Sequence, residues 1–144
     1  VKSFVVGKEN KMSYYQQLSK KLNIDNQIFF TGPRIDVNDF YTISDIFLFP
    51  THYDPFSNVV LEAMYFENAV FTTRSNGASE ILDPDFIMNS PYDKKVATSI
   101  DNLLSNIITL NEVKIRNKKI SKQFPIEKNL KKTLDVINKI EKSF

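Results

Sequence analysis

The sequence contains no cysteine and only one histidine, His52. The first absence excludes disulfide bonds and thiolate metal sites, and the second excludes a metal centre built from several histidines. No apolar run approaches the roughly 18 residues that a membrane-spanning helix needs. No secretory signal peptide is visible either. These absences favour a cytoplasmic location.

Neither sign of charge dominates the 144 residues, whose net charge is +2. A nucleic-acid-binding protein would usually show a concentrated basic face, so this class is not indicated. The sequence also lacks a GxGxxG fingerprint, a P-loop and a Ser-His-Asp order. The common motifs of dinucleotide binding, ATP binding and serine hydrolysis are therefore absent.

Apolar runs that alternate with helical patterns predict an α/β protein with a doubly wound parallel sheet. Strands are predicted over 3–7, 27–31, 45–50, 69–73 and 86–89. Helices are predicted over 11–23, 36–44, 57–66, 92–108, 111–123 and 126–142. Several strands are nearly continuous apolar runs, as in buried parallel sheets. We expect residues 1–144 to form one domain, and because Val1 opens directly into a strand, a piece of a longer protein.

Ligands of doubly wound sheets lie beyond the carboxyl ends of the strands. The segments that follow predicted strand ends are Gly7, Gly32, 50–58 and 74–77. We therefore expect these segments to gather on one rim of the sheet.

The segment 50–62, PTHYDPFSNVVLE, carries the most informative residues. Ser57 and Asn58 are good helix caps, and a helix start can hold a phosphate, so plain capping and phosphate binding both fit. Glu62 lies one turn after Asn58, where its carboxylate could accept hydrogen bonds from two ribose hydroxyls. Its apolar neighbours argue against an ordinary exposed acid. Asp54 suits either a sugar contact or a turn before proline.

Three further residues follow predicted strands and have two interpretations each. Gly77 would allow a ligand to approach the backbone or simply form an Asn-Gly turn. Arg34 could stack on a base or pair with a phosphate, or it could be a solvated surface residue. His52 is an acid or base by residue type, although it lacks a partner nearby in the sequence.

Read together, these segments resemble the nucleotide-binding C-terminal half of the retaining GT-B glycosyltransferases, the group 1 family. The resemblance covers most of the chain and has the family's motif order. Its strands are matched by FVVG at 4–7, IFFTG at 28–32, SDIFLFP at 44–50 and AVFTT at 69–73. Its E-x7-E element and its glycine-containing turn are matched by 54–64 and by 76–80.

The resemblance implies a role for each site residue. Asp54 matches the first acid of the E-x7-E element, which contacts the donor sugar, and we assign it as the catalytic residue. Glu62 matches the second acid, which holds the ribose hydroxyls. Phe56, Ser57 and Asn58 match the family's loop and helix start, which contact the sugar and the diphosphate. Gly77 matches a family turn that lies close to the donor. Arg34 is assigned to the neighbourhood of the base. No metal and no cofactor are implied, because the nucleoside-diphosphate sugar is itself a substrate.

The sequence departs from the family pattern at two places. Asp54 is one methylene shorter than the usual glutamate, and Ser57-Asn58 stands where many members have Gly-Leu or Gly-Ile. The Asp-Pro-Phe-Ser-Asn variant resembles members that act in lipopolysaccharide or capsule biosynthesis. The family's diphosphate-binding Arg and Lys and its acceptor domain are not in this sequence, so this chain alone is expected to be inactive.

We therefore hypothesise that the chain is the donor-binding domain of a retaining hexosyltransferase that uses a glycan or lipid-linked acceptor. It would be cytoplasmic, with peripheral contact to the inner face of the membrane. A GT-B phosphorylase or sugar-nucleotide epimerase is the alternative enzyme, and a non-catalytic nucleotide-binding module is the alternative without catalysis.

Overall fold

A computed structural model describes residues 1–141 of the chain. Its strands are β1 (Ser3–Val6), β2 (Ile28–Gly32), β3 (Ile46–Phe49), β4 (Ala69–Thr73) and β5 (Ile87–Met88). Its α-helices are α1 (Met12–Lys21), α2 (Val37–Ile43), α3 (Asn58–Tyr65), α4 (Lys95–Ser105), α5 (Ile107–Ser121) and α6 (Ile126–Glu141). Two short 3₁₀ turns, Gly77–Ile81 and Pro84–Phe86, lie between β4 and β5.

The α/β architecture with parallel strands is confirmed. Hydrogen bonds join the strands into a two-stranded sheet, β1–β2, and a three-stranded sheet, β3–β4–β5, and every pairing is parallel. The chain divides into two compact units, Val1–Ile43 and a second that begins at Ser44. The expectation of one domain over residues 1–144 stays a prediction.

The first unit is built on the parallel pair β1–β2. Phe4 lies opposite Phe29, and their rings stack with centroids 5.5 Å apart. The strands end near Gly7 (φ +135°) and at Gly32 (φ +70°), which adopt backbone conformations that favour glycine. The predicted placement of these glycines on a shared rim with segments of the second unit stays a prediction.

The second unit has its core around β4. All five residues of β4 are buried, as expected for a central parallel strand. The buried face of α3, formed by Val60, Ala63 and Met64, belongs to the same core. On the α4–α5 side, Phe71 of β4 packs with Leu103 and Leu110. The loops that follow β3 and β4 therefore begin at the end of a buried strand and of the strand paired with it.

The predicted position of the break between the fourth and fifth helices is wrong. We expected one helix over 92–108 and another over 111–123, but α4 ends at Ser105 and α5 begins at Ile107. The side chain of Asn106 accepts a hydrogen bond from the Thr109 N–H at 3.1 Å and so caps α5. The predicted end of α6 at residue 142 lies outside the described residues. Across residues 1–141 we find no helix with the length and apolarity needed to cross a membrane.

Candidate functional site

The loop after β3 and the turn after β4 are joined at the carboxyl ends of these strands. Asp54 and Asn76 form a parallel β-bridge. The Asp54 N–H donates to the Ser75 carbonyl at 3.2 Å, and the Gly77 N–H donates to the Asp54 carbonyl at 2.9 Å. Two segments that the sequence singled out separately, 50–58 and 74–77, therefore form one substructure.

Gly77 is required by the loop itself. A Cβ atom at this position would lie 1.9 Å from the carbonyl oxygen of Pro55 and 2.8 Å from its carbonyl carbon. No side chain fits this space unless the backbone moves. This contact explains the glycine through packing, and the assignment of Gly77 to the donor stays a prediction.

Asn76 is a fully buried amide that links three segments. Its Oδ1 accepts hydrogen bonds from the Ala78 N–H at 3.0 Å and the Ser57 N–H at 3.4 Å. Its Nδ2 donates to the Thr72 hydroxyl at 3.0 Å, which in turn donates to the Phe49 carbonyl at 2.9 Å. This amide fixes the start of α3 relative to the ends of β3 and β4.

The sequence of this segment fits either a close approach to a ligand or an Asn-Gly turn, and neither interpretation includes the linking role of Asn76. One partner, Ser57, is 19 residues away in the sequence. No local pattern could have indicated that contact. Asn before Gly is a common turn signal, whereas the burial of its amide follows from the tertiary fold.

The Asp54 side chain shapes its own loop. Its Oδ1 accepts a hydrogen bond from the Phe56 N–H at 3.1 Å, which is the turn interpretation of this residue. The side chain is partly buried. A carboxylate has about four lone-pair positions, so this contact leaves capacity for hydroxyl donors.

The first turn of α3 contains the predicted phosphate site. Ser57 is the N-cap with an extended backbone (φ −76°, ψ 116°). Within residues 1–141 its side chain makes no capping hydrogen bond to this turn. The helix start thus combines the partial positive charge of the helix dipole with N–H groups that the Ser57 hydroxyl does not satisfy.

Glu62 lies on the exposed face of α3 together with Asn58. The expectation that apolar neighbours argue against an exposed acid is wrong, because Val60, Ala63 and Met64 form the buried face of α3 and Glu62 is exposed. The spacing of one helical turn between Asn58 and Glu62 nevertheless places both on one side, as the ribose hypothesis requires. Glu62 therefore lies on a surface that a ligand can reach.

Phe56 contacts Phe124, an aromatic residue that is not among the predicted site residues. The ring of Phe124, which lies between α5 and α6, is 6.0 Å from the Phe56 ring, centroid to centroid. The two rings are 38% and 42% exposed. The segment after α5 thus supports the outer side of the loop that carries Asp54.

Arg34, in the first unit, is held by its own neighbour. Its Nε and one terminal nitrogen donate to the two carboxylate oxygens of Asp36 at 2.8 and 2.6 Å. Its guanidinium carbon lies 5.9 Å from the centroid of the Phe40 ring. The hydrogen bond from Arg34 holds the pKa of the Asp36 carboxyl below its usual range. The base-proximal role of Arg34 stays a prediction.

Among the residues that the structure describes, no group of three His, Asp or Glu side chains converges in a metal-binding arrangement.

Known proteins show the same sequence pattern and the same fold. The family described as glycosyl transferases group 1 matches residues 1–122. The capsular polysaccharide biosynthesis glycosyltransferase CapM of Staphylococcus aureus is 34% identical over 74 residues, which are 49% of this chain and 20% of CapM.

Solved structures extend the similarity over nearly the whole chain. HepE of Anabaena, solved in complex with UDP-glucose, superimposes with a TM-score of 0.85 at 19% identity and covers 96% of this chain. WaaG, a glycosyltransferase involved in lipopolysaccharide biosynthesis, superimposes with a TM-score of 0.79 at 19% identity over 93% of this chain. The matched region is 41% of HepE and 37% of WaaG. The chain thus spans less than half the length of these proteins.

Proposed function

The chain belongs to the glycosyl transferases group 1 family, and from this membership we propose that it binds the donor in an enzyme that transfers a sugar from a nucleoside-diphosphate sugar to a glycan or lipid-linked acceptor. The observation that carries the proposal is the junction of the Asp54 loop with the Asn76-Gly77 turn beside the start of α3. It joins the partly buried Asp54 to the start of α3, where Ser57 is buried and Asn58 and Glu62 are exposed. A helix start can bind a diphosphate, and the two carboxylates can accept hydrogen bonds from the hydroxyls of a sugar and of a ribose.

The proposed donor lies along the first turns of α3. The diphosphate occupies the helix start at Ser57 and Asn58, where the helix dipole and the backbone N–H groups that follow Ser57 favour negative charge; the Ser57 N–H itself donates to Asn76. The ribose hydroxyls donate to Glu62, about 6 Å further along the helix. Asp54 accepts hydrogen bonds from the donor sugar, and the loop residue Phe56 lies beside it.

In the proposed reaction the bond between the anomeric carbon and the diphosphate oxygen breaks. A bond from the same carbon to an acceptor hydroxyl oxygen forms, and the hydroxyl proton leaves. The nucleoside diphosphate is the other product. The helix start stabilises the charge that develops on the departing diphosphate, while Asp54 positions the sugar. We propose retention at the anomeric carbon and no metal or other cofactor.

HepE was solved with UDP and with UDP-glucose, so we take UDP-glucose as the first donor to test. CapM and WaaG act in capsule and lipopolysaccharide biosynthesis, which supports a polysaccharide-type acceptor for this protein. We also propose a cytoplasmic location, with peripheral membrane contact where the acceptor is lipid-linked.

Calorimetric titration of the full-length protein with UDP and UDP-glucose tests the donor site. Glu62→Ala removes the ribose contact and should weaken both ligands by about 10- to 100-fold, the usual effect of a hydrogen bond to a charged group. Glu112→Ala, which removes an exposed acid from α5, is the matched control and should change neither affinity. Unchanged UDP affinity in Glu62→Ala would remove the ribose assignment.

Asp54→Asn separates the sugar contact from the loop contact. Asparagine keeps an Oδ1 acceptor for the Phe56 N–H, so the loop should retain its shape. The variant should bind UDP as the wild type does and bind UDP-glucose more weakly. A parallel loss of affinity for both ligands would contradict a sugar-specific role for Asp54.

A further inference from the structure

A second group of polar side chains lies at the carboxyl ends of the three-stranded sheet. It consists of His52 after β3, Arg74 after β4, and Asn89, Tyr92 and Asp93 after β5. We refer to these residues as the rim cluster. None of them takes part in the donor contacts proposed above, although ligands of parallel sheets bind at this edge.

Arg74 is held in place without being neutralised by its partner. Its guanidinium donates a hydrogen bond to Oδ1 of Asn89, and its backbone N–H donates to the Met88 carbonyl at 3.0 Å. The Asn89 amide is uncharged, so this contact orients the guanidinium and leaves its positive charge in place. The residue is exposed. An oriented guanidinium suits bidentate binding of a phosphate or a carboxylate.

Asp93 in turn fixes Asn89. One carboxylate oxygen, Oδ2, accepts from the backbone N–H of Asn89 at 3.0 Å and from its Nδ2 at 3.1 Å. The other, Oδ1, accepts from the Lys95 N–H at 3.1 Å. The backbone hydrogen bonds from Asn89 and Lys95 hold the pKa of the Asp93 carboxyl below its usual range, so it stays ionised at neutral pH. The amide oxygen of Asn89 is thus aimed at Arg74 before any ligand binds.

His52 and Tyr92 supply an aromatic surface. The Tyr92 hydroxyl and His52 Nε2 are 3.4 Å apart, and the two rings meet edge to face with centroids 5.5 Å apart. The Tyr92 residue is 77% exposed. An amphipathic ring with a polar tip can cover the apolar face of a sugar while it hydrogen-bonds to hydroxyls.

The rim cluster adjoins the loop that carries Asp54. The Thr73 hydroxyl donates to the Thr51 carbonyl at 2.7 Å, which ties the residue before Arg74 to the residue before His52. The Asp54 N–H donates to the Ser75 carbonyl, on the other side of Arg74. The residues on both sides of Arg74 are therefore hydrogen-bonded to the loop that carries Asp54, and donor and acceptor must likewise be neighbours during transfer.

We propose that the rim cluster is an acceptor subsite and that it binds an acceptor sugar bearing an anionic group, a phosphate or a carboxylate. The inference rests on the proposed transferase function. Arg74 binds the anion, Asn89 and Asp93 position Arg74, and the His52–Tyr92 pair contacts the sugar ring. The subsite selects charged acceptor sugars over neutral ones.

Arginine side-chain NMR on the full-length protein tests the subsite directly. The 144 residues contain three arginines, and Arg74→Lys identifies the Arg74 Nε–H resonance. Titration with glucose 6-phosphate, glucuronate and glucose is carried out with UDP present. Glucose 6-phosphate, glucuronate or both should shift the Arg74 resonance, and glucose should not. The two charged probes show whether phosphate or carboxylate is preferred.

Affinity measurements on variants provide the second readout. Arg74→Ala should weaken binding of the preferred charged sugar about tenfold or more and leave UDP-glucose affinity unchanged. Arg116→Ala removes an exposed arginine that pairs with Asp83, and it should change neither value. Tyr92→Ala should lower the affinity for the charged sugar more than it lowers the affinity for inorganic phosphate.

Four outcomes overturn the inference. No shift of the Arg74 resonance with either charged probe removes the subsite. Inorganic phosphate that binds as tightly as the charged sugar shows an anion site without sugar selectivity. Loss of sugar-phosphate binding in Glu62→Ala but not in Arg74→Ala places the anion in the donor site. Absence of binding to every UDP-, GDP- and ADP-sugar tested overturns the proposed function, and with it the acceptor role, even where Arg74 responds to the probes.

Discussion

Replacing Gly77 with alanine would place a methyl group inside the loop that carries Asp54. The new Cβ would lie 1.9 Å from the Pro55 carbonyl oxygen, and that atom belongs to the backbone and cannot rotate away. The turn or the loop must therefore move by more than an ångström. Such a movement breaks the hydrogen bond from the Gly77 N–H to the Asp54 carbonyl and strains the one from the Asp54 N–H to the Ser75 carbonyl.

The expected cost follows from these contacts. Overpacking typically costs about 1–3 kcal/mol, and each lost hydrogen bond costs about 1 kcal/mol. The lower entropy of alanine in the unfolded chain offsets roughly 0.4–1 kcal/mol of this. We expect the free energy of unfolding to fall by about 2–3 kcal/mol, which corresponds to roughly 6–12 °C in Tm for a chain of this size. The displaced loop should also weaken UDP-glucose binding at temperatures where the variant is folded.

Urea unfolding and calorimetric titration measure the two effects, and Gly32→Ala is the matched control. At Gly32 a Cβ would meet nothing within 4 Å, but φ is +70°. That substitution should cost about 1 kcal/mol through backbone conformation alone. At Gly77, by contrast, the limitation is the lack of space for a Cβ atom. If Gly77→Ala proves as stable as the wild type, or loses less stability than Gly32→Ala, the packing argument for this glycine is refuted.

Three further predictions concern stability. Asn76→Ala leaves two buried N–H groups without their acceptor and should cost about 3 kcal/mol in urea unfolding, whereas Asn111→Ala, which removes an exposed amide from α5, should change stability by less than about 0.5 kcal/mol; equal losses would contradict the linking role. The hydrogen bond from Arg116 holds the pKa of the Asp83 carboxyl below its usual range, so its stabilisation is present at neutral pH and is lost as the pH falls below about 4; the stability deficit of Asp83→Asn should shrink over that range, and a pH-independent deficit would count against the pair. Phe124→Ala should couple to Phe56→Ala by about 0.5–1.5 kcal/mol in a double-mutant cycle, and additive effects would show that the two rings do not stabilise each other.

The strands and the parallel pairing could be predicted because their signals are local. Apolar runs such as 46–49 and 69–73 have the length and composition of buried parallel strands, and both runs are strands in the structure. The helix break at Asn106 could not be read in the same way. Its neighbours Ile107 and Ile108 continue an apolar pattern, so the sequence predicts the break at 109–110. The non-helical backbone of Asn106 (φ −122°, ψ 88°) and the hydrogen bond that its side chain accepts from the Thr109 N–H place it at residue 106.

The candidate site was predictable in its segments and not in its contacts. The positions of Asp54 and Glu62 around a helix start can be read from the sequence, since they depend on helical spacing. The exposure of Glu62 depends on which face of α3 meets β4, and that is a tertiary property. The Gly77–Pro55 contact joins residues 22 positions apart, so no sequence window contains its cause.

The buried amide of Asn76 makes the candidate ligand loop a part of the sheet. The start of α3 cannot leave its position without breaking a contact that also fixes Thr72 in the middle of the core. By thermodynamic linkage, a nucleotide that binds only the intact loop stabilises β4 and its neighbours as well, by RT ln(1 + [L]/Kd). Amide hydrogens of β4, which make no contact with the proposed ligand, would therefore exchange more slowly with solvent in its presence.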